Sequence, residues 1–71
     1  MDDKRKVELM LEAEALLIRL NEIYTDLVGI CLEKDDIDQS ALFLGMSDRV
    51  IEDFMSVQKI VGAEVKTDDA D

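Results

Sequence analysis

Residues 9–32 have the sequence LMLEAEALLIRLNEIYTDLVGICL, in which apolar residues recur at alternating steps of three and four. This spacing places them on one side of an α-helix and is the heptad pattern of helices that pack side by side. We name the residues that follow it the first seam; they are Met10, Ala13, Leu17, Leu20, Tyr24, Leu27 and Cys31. The pattern predicts a long helix over about residues 3–33.

The apolar surface of this helix is wider than the first seam. One row lies a single position before the seam and consists of Leu9, Leu16, Ile23 and Ile30. A row on the other side consists of Leu11, Ile18 and Leu32. A helix with so wide an apolar arc needs more than one neighbour to cover it.

The second half of the chain repeats the pattern after a charged break. Residues 33–38, with the sequence EKDDID, carry five charges and predict a turn. Asp36 or Asp38 is expected to cap the helix that follows, and Asp36 and Gln39 have capping-box spacing. A second seam follows, formed by Phe43, Ser47, Val50, Phe54, Val57 and Val61. It predicts a second helix over about residues 38–61, with Gly45 as the point where this helix could break. Gly62 is expected to end it as a C′ residue, before a frayed acidic tail at about 63–71.

The predicted fold is therefore all-α, a single domain built as an antiparallel helical hairpin. A chain of 71 residues buries a small core, and its one cysteine, Cys31, cannot form an internal disulfide. Two hairpins side by side would cover all the apolar faces, which favours a homodimeric four-helix bundle. The alternative is a monomer with three helices, in which residues 38–44 form a helix of their own and pack back.

Composition restricts the function. Eighteen acidic residues against eight basic ones give a net charge of −10, which repels nucleic acids and anionic membranes and attracts basic protein surfaces. There is no histidine, so neither a zinc site nor a His-activated nucleophile is expected. We expect no cofactor, no metal, no nucleic acid and no membrane partner. The absence of an export signal and the single cysteine favour a cytoplasmic protein.

These observations predict a non-catalytic helical interaction or regulatory module, paired with its own copy or with a basic protein. The residues expected to form the packing and interaction surface are Leu9, Leu16, Leu17, Leu20, Ile23, Tyr24, Leu27, Phe43, Val50, Phe54 and Val57. Among them, Leu9, Leu16 and Ile23 are the row expected to meet a second chain.

Two short segments give an alternative. Residues 16–24, LLIRLNEIY, and residues 48–54, DRVIEDF, resemble the helices of small two-helix aspartyl-phosphate phosphatases that act on sporulation response regulators. The Ser-Gln-Glu-Leu-Asp signature of that family aligns with residues 44–48, where only Asp48 matches. The resemblance implies an enzyme and nominates Asp48 as its functional residue. An acidic DNA-mimic inhibitor and a small secretion chaperone are further alternatives that the composition permits.

Overall fold

A computed structural model describes the backbone of residues 2–69 and the side chains of residues 3–64. It contains two long helices, α1 (Asp2–Glu33) and α2 (Ile37–Asp69), which pack along each other as a hairpin of about 55 × 15 × 13 Å. The prediction of an all-α helical hairpin is confirmed. The three-helix alternative is wrong, because residues 38–44 belong to a single continuous α2.

The turn between the helices is built by two aspartates. Asp35 has a φ of 59°, in the left-handed region, and is the C′ residue, two positions after the last residue of α1. Its N–H donates to Leu32 O at 3.1 Å, and the N–H of Asp36 donates to Cys31 O at 2.8 Å. These two bonds form a Schellman motif, which satisfies the last carbonyl groups of α1 and reverses the chain.

Asp36 also begins α2. Its Oδ1 accepts a hydrogen bond of 3.0 Å from the backbone N–H of Gln39, so Asp36, of the two candidate aspartates, is the N-cap. The Gln39 side chain does not complete a reciprocal capping box. Its Oε1 accepts a hydrogen bond of 3.7 Å from the Cys31 thiol instead, which ties the end of α1 to the start of α2.

Two expected interruptions of the second helix are absent. The α-helix runs through Gly45 and Gly62 and extends to Asp69, beyond the predicted end at residue 61. Neither glycine has a positive φ, and an added Cβ would meet nothing within 4 Å. A break at either glycine would interrupt the backbone hydrogen bonds between residues i and i−4 around it. Both glycines therefore stay inside the helix, where each lowers helix stability by about 1 kcal/mol relative to Ala. Fraying of the tail in solution stays a prediction, and residues 70 and 71 lie outside the described range.

Both seams face the interior of the hairpin. All residues of the first and second seams are buried or half-buried, and Ser40 and Glu64 extend the second seam at its two ends with the same spacing. The rings of Tyr24 and Phe43 stack with their centroids 6.2 Å apart. Among the described residues, the only apolar side chains that count as buried are Cys31 and Val50, with 6% and 7% of their surface exposed. The hairpin therefore has a narrow core.

Candidate interaction surface

The most unusual property of the hairpin is its exposed apolar surface. Among residues 3–64, fourteen large apolar side chains lie in water, several of them mostly exposed, such as Leu16 at 64% and Leu42 at 66%. A helix pair covers only one stripe on each helix, and the flanking rows of both helices remain outside that stripe. These fourteen side chains are the candidate functional residues of this protein.

An ion pair shows which exposed rows share one side of the hairpin. Lys6 Nζ lies 2.9 Å from Glu64 Oε1, so α1 and α2 approach each other along this edge. Leu9 follows Lys6 by three residues, and Ile60 precedes Glu64 by four, so both lie beside the ion pair. Leu16, Ile23, Ile30 and Met46 follow by heptad spacing, and Leu42 precedes Met46 by four residues. We call it face A, and it consists of Leu9, Leu16, Ile23, Ile30, Leu42, Met46 and Ile60.

A hydrogen bond marks the opposite side. The Ser47 hydroxyl donates to Asn21 Oδ1 across the hairpin. Ile18 precedes Asn21 by three residues, and Leu44 and Ile51 flank Ser47 at three and four residues, so all of them lie beside this bond. We call this side face B, and it consists of Leu11, Ile18, Leu32, Ile37, Leu44, Ile51 and Met55.

The charges around face A nearly balance. The residues three or four positions from its members in the same helix, which neighbour them on the helix surface, include four bases and five acids. They are Arg5, Lys6, Arg19, Arg49, Glu12, Asp26, Glu33, Asp38 and Glu64. All three arginines of the chain are in this set. Asp53 lies within face A itself, between Met46 and Ile60 on the same row of α2, and brings the acids of this side to six against four bases.

Face B, by the same criterion, has an acidic border. Its charged neighbours are Glu8, Glu14, Glu22, Asp48, Glu52 and Lys59. The guanidinium group of Arg5 lies 3.8 Å from Glu8, and that of Arg19 lies 3.4 Å from Glu22. Both arginines reach around the back of α1. Those two pairs are exposed and contribute little to stability. Of the five acids on the border of face B, Glu8 and Glu22 therefore have an arginine beside them, whereas Glu14, Asp48 and Glu52 do not. This border remains more acidic than that of face A, although both faces are apolar.

Face A also has a recess at the open end of the hairpin. A shallow depression of about 400 Å³ is lined by Arg5, Lys6, Leu9, Met10 and Ala13. Ala13, which lines it, is the smallest residue of the first seam. The Lys6 ammonium borders this recess, and its hydrogen bond to Glu64 and the charge of that carboxylate raise the pKa of Lys6.

The structure separates the residues predicted from the sequence into two groups. Eight of them pack between α1 and α2 within one chain; they are Leu17, Leu20, Tyr24, Leu27, Phe43, Val50, Phe54 and Val57. Leu9, Leu16 and Ile23 are exposed on face A, and their contact with a second chain stays a prediction. Sequence reasoning missed Ile37, Leu42 and Leu44. Ile37 and Leu44 share the heptad row of Ile51, and Leu42 lies one helical turn before Met46, so the same spacing would have found them.

Asp48, the residue nominated by the phosphatase resemblance, is exposed on α2 next to Ser47. Within the described part of the chain, no group of three or more Cys, Asp or Glu residues could hold a metal ion. The same residues include no helix with an apolar stretch sufficient to cross a membrane. Comparison with known proteins found no matching family model, no similar curated protein and no similar solved structure.

Proposed function

We propose that this protein is a non-catalytic, cytoplasmic interaction module that acts as a homodimeric four-helix bundle and regulates or recruits proteins with basic surfaces. The observation that supports this function is the contrast, within the described side chains, between fourteen exposed large apolar ones and two buried ones. Contiguous apolar patches of more than a few hundred Å² are rare on monomeric proteins and typical of interaction sites.

The surface area of the chain is consistent with a dimer. Its accessible surface is 5694 Å² for a mass of 8.0 kDa. A compact monomer of that mass exposes about 4,450 Å², so this hairpin exposes about 1,200 Å² more. A standard protein interface removes about 600–1,000 Å² from each partner. Pairing along one face would therefore remove about half or more of this excess.

Face A is the better of the two faces for a second copy. A symmetric dimer places the same patch on both sides of the interface, so the patch must be compatible with itself. The nearly balanced charges around face A allow the arginines of one copy to meet the acids of the other. The acidic border of face B would repel its own copy.

The α1 row of face A suggests how two copies pair. Leu9, Leu16, Ile23 and Ile30 contain no polar residue, whereas the matching row of α2 includes Asp53. Pairing α1 with α1 of the second copy in antiparallel orientation keeps Asp53 away from the aliphatic row. Leu16 then lies opposite Ile23 of the second copy, and Ile30 of the second copy lies at the recess beside Leu9.

Light scattering during size exclusion tests the dimer. We expect the wild type to elute as a dimer at micromolar concentration and the double variant Leu16→Glu/Ile23→Glu to elute as a folded monomer. The matched control is Ala15→Glu, which adds the same side chain at an exposed position on the back of α1. Helicity by circular dichroism checks the fold of each variant. A wild type that stays monomeric at hundreds of micromolar would contradict the dimer.

Disulfide trapping tests the antiparallel arrangement. In a Cys31→Ser background, Leu16→Cys and ¹⁵N-labelled Ile23→Cys chains are mixed and oxidised, and mass spectrometry identifies the products. We expect the mixed disulfide to dominate. Antiparallel pairing separates position 16 of one copy from position 16 of the other by about 10 Å along the helix, more than the roughly 7 Å between Cα atoms that a disulfide spans. Predominant linkage of each variant to itself would contradict this arrangement.

A further inference from the structure

Face B has the length and shape to accept one more helix. From Leu11 to Leu32 the α1 row of face B extends about 32 Å, the length of a helix of about 20 residues. The rows of α1 and α2 line the two sides of the groove between the helices. Its apolar members are half to two-thirds exposed at most positions, from 43% at Ile51 to 62% at Ile37. A helix that lies in this groove would contact both rows along its length.

The charged residues along the border of the groove determine which charges a docked helix should carry. On the α1 side lie Glu14 and Glu22, of which Glu22 is paired with Arg19, and on the α2 side lie Asp48 and Glu52. Between Leu11 and Leu32 and between Ile37 and Met55, none of the residues bordering face B is a lysine or arginine; the one base, Lys59, lies beyond Met55. Acidic residues on both edges favour a helix with basic residues along both sides of its apolar stripe, whose long aliphatic stems also cover apolar surface.

Other occupants of face B are less favourable. A second copy would bring the five acids of its own border against these five acids, and each copy carries a net charge of −10. Nucleic acids and anionic lipid surfaces would meet the same repulsion. If face A is occupied by the second copy, face B of each chain points outward from the dimer and remains accessible.

We propose that face B is the docking groove for a basic amphipathic helix of another protein. The apolar stripe of that helix packs on Leu11, Ile18, Leu44 and Ile51, and its lysines or arginines meet Glu14, Asp48 and Glu52. This inference rests on the proposed function for the role of an interaction module, but it does not require the dimer. In the dimer the two grooves bind independently, one helix for each chain.

The binding experiment uses the full chain and a fluorescein-labelled peptide of about 20 residues. The peptide has leucines at helical spacing on one side and lysines along both edges, and a second peptide has glutamates in place of the lysines. By fluorescence anisotropy we expect the lysine peptide to bind with a micromolar dissociation constant and one peptide per chain. Between about 0.05 and 0.5 M salt, that constant should rise about tenfold, because salt screens the charges. The glutamate peptide should not bind.

Substitutions on face B test whether the lysine peptide binds in this groove. Ile18→Glu/Leu44→Glu should weaken binding of the lysine peptide at least tenfold. Asp48→Asn/Glu52→Gln, which changes only exposed charges, should weaken it about threefold to tenfold and reduce its dependence on salt. The matched control is Leu16→Glu/Ile23→Glu on face A, which should bind the peptide as the wild type does.

The two proposals fail separately. A wild type that dimerises but leaves the lysine peptide unbound at millimolar concentration would overturn the docking groove and leave the dimer intact. Binding that is unchanged by Ile18→Glu/Leu44→Glu, or equal for both peptides, would overturn it as well. A monomeric wild type that binds the lysine peptide through face B would contradict the dimer and support the groove.

Discussion

Replacing Leu16 by alanine should separate the stability of the hairpin from that of the dimer. Fully burying the three carbon groups removed in Leu16→Ala contributes about 2.4 kcal/mol, at about 0.8 kcal/mol each. Because 64% of Leu16 is exposed in the single chain, only about a third of that amount, or about 0.8 kcal/mol, belongs to the hairpin itself. If face A pairs as proposed, association loses the remaining 1.5 kcal/mol or so in each copy.

The loss for two copies is about 3 kcal/mol, which raises the dissociation constant of the dimer about two orders of magnitude. Sedimentation velocity over a range of concentrations measures that constant. The matched variant is Val50→Ala, which removes two carbon groups from a side chain that is 7% exposed. It should lower the free energy of unfolding by about 2 kcal/mol at every protein concentration, through lost burial and the cavity left behind.

Urea unfolding at two protein concentrations distinguishes the two variants. Wild type and Val50→Ala should gain stability as concentration rises, since the dimer forms only from folded chains, whereas Leu16→Ala should lose most of that gain. The reasoning would be refuted by a Leu16→Ala protein that is destabilised as much as Val50→Ala while its dissociation constant stays at the wild-type value.

Three further predictions concern the hairpin itself. Asp36→Ala removes the acceptor for the Gln39 N–H and should lower the free energy of unfolding by about 1 kcal/mol in a thermal melt; an unchanged melting temperature would contradict its role as N-cap. Gly45→Ala should stabilise the protein by about 1 kcal/mol, because the helix is continuous there and the added Cβ enters open space; a loss of stability would show a bend at this position. Since Glu64 raises the pKa of Lys6, their ion pair should stabilise the fold below the ordinary lysine pKa and lose that effect as pH rises through the raised value. Unfolding of the wild type and of Glu64→Gln should therefore differ by the same small, salt-sensitive amount across neutral pH, and a difference that disappears on going from pH 6 to pH 8 would contradict this assignment.

Local sequence determines much of this fold. The steps of three and four in the two seams require helices, and the charged segment at residues 33–38 contains the two aspartates that end α1 and begin α2. These features are predictable because they depend on neighbours within one turn of the chain. The same spacing correctly placed Cys31 and Val50 in the interior.

Tertiary packing decided the rest. The glycines at positions 45 and 62 suggested helix ends, but long-range packing of the second seam on α1 supports the helix through both of them. Nor could the sequence tell which flanking rows share a side. That followed only from the register of the hairpin, in which Lys6 meets Glu64 and Asn21 meets Ser47. Each helix carries apolar rows on both flanks of its seam, and the antiparallel pairing of α1 with α2 joins them into a nearly balanced face A and an acid-bordered face B.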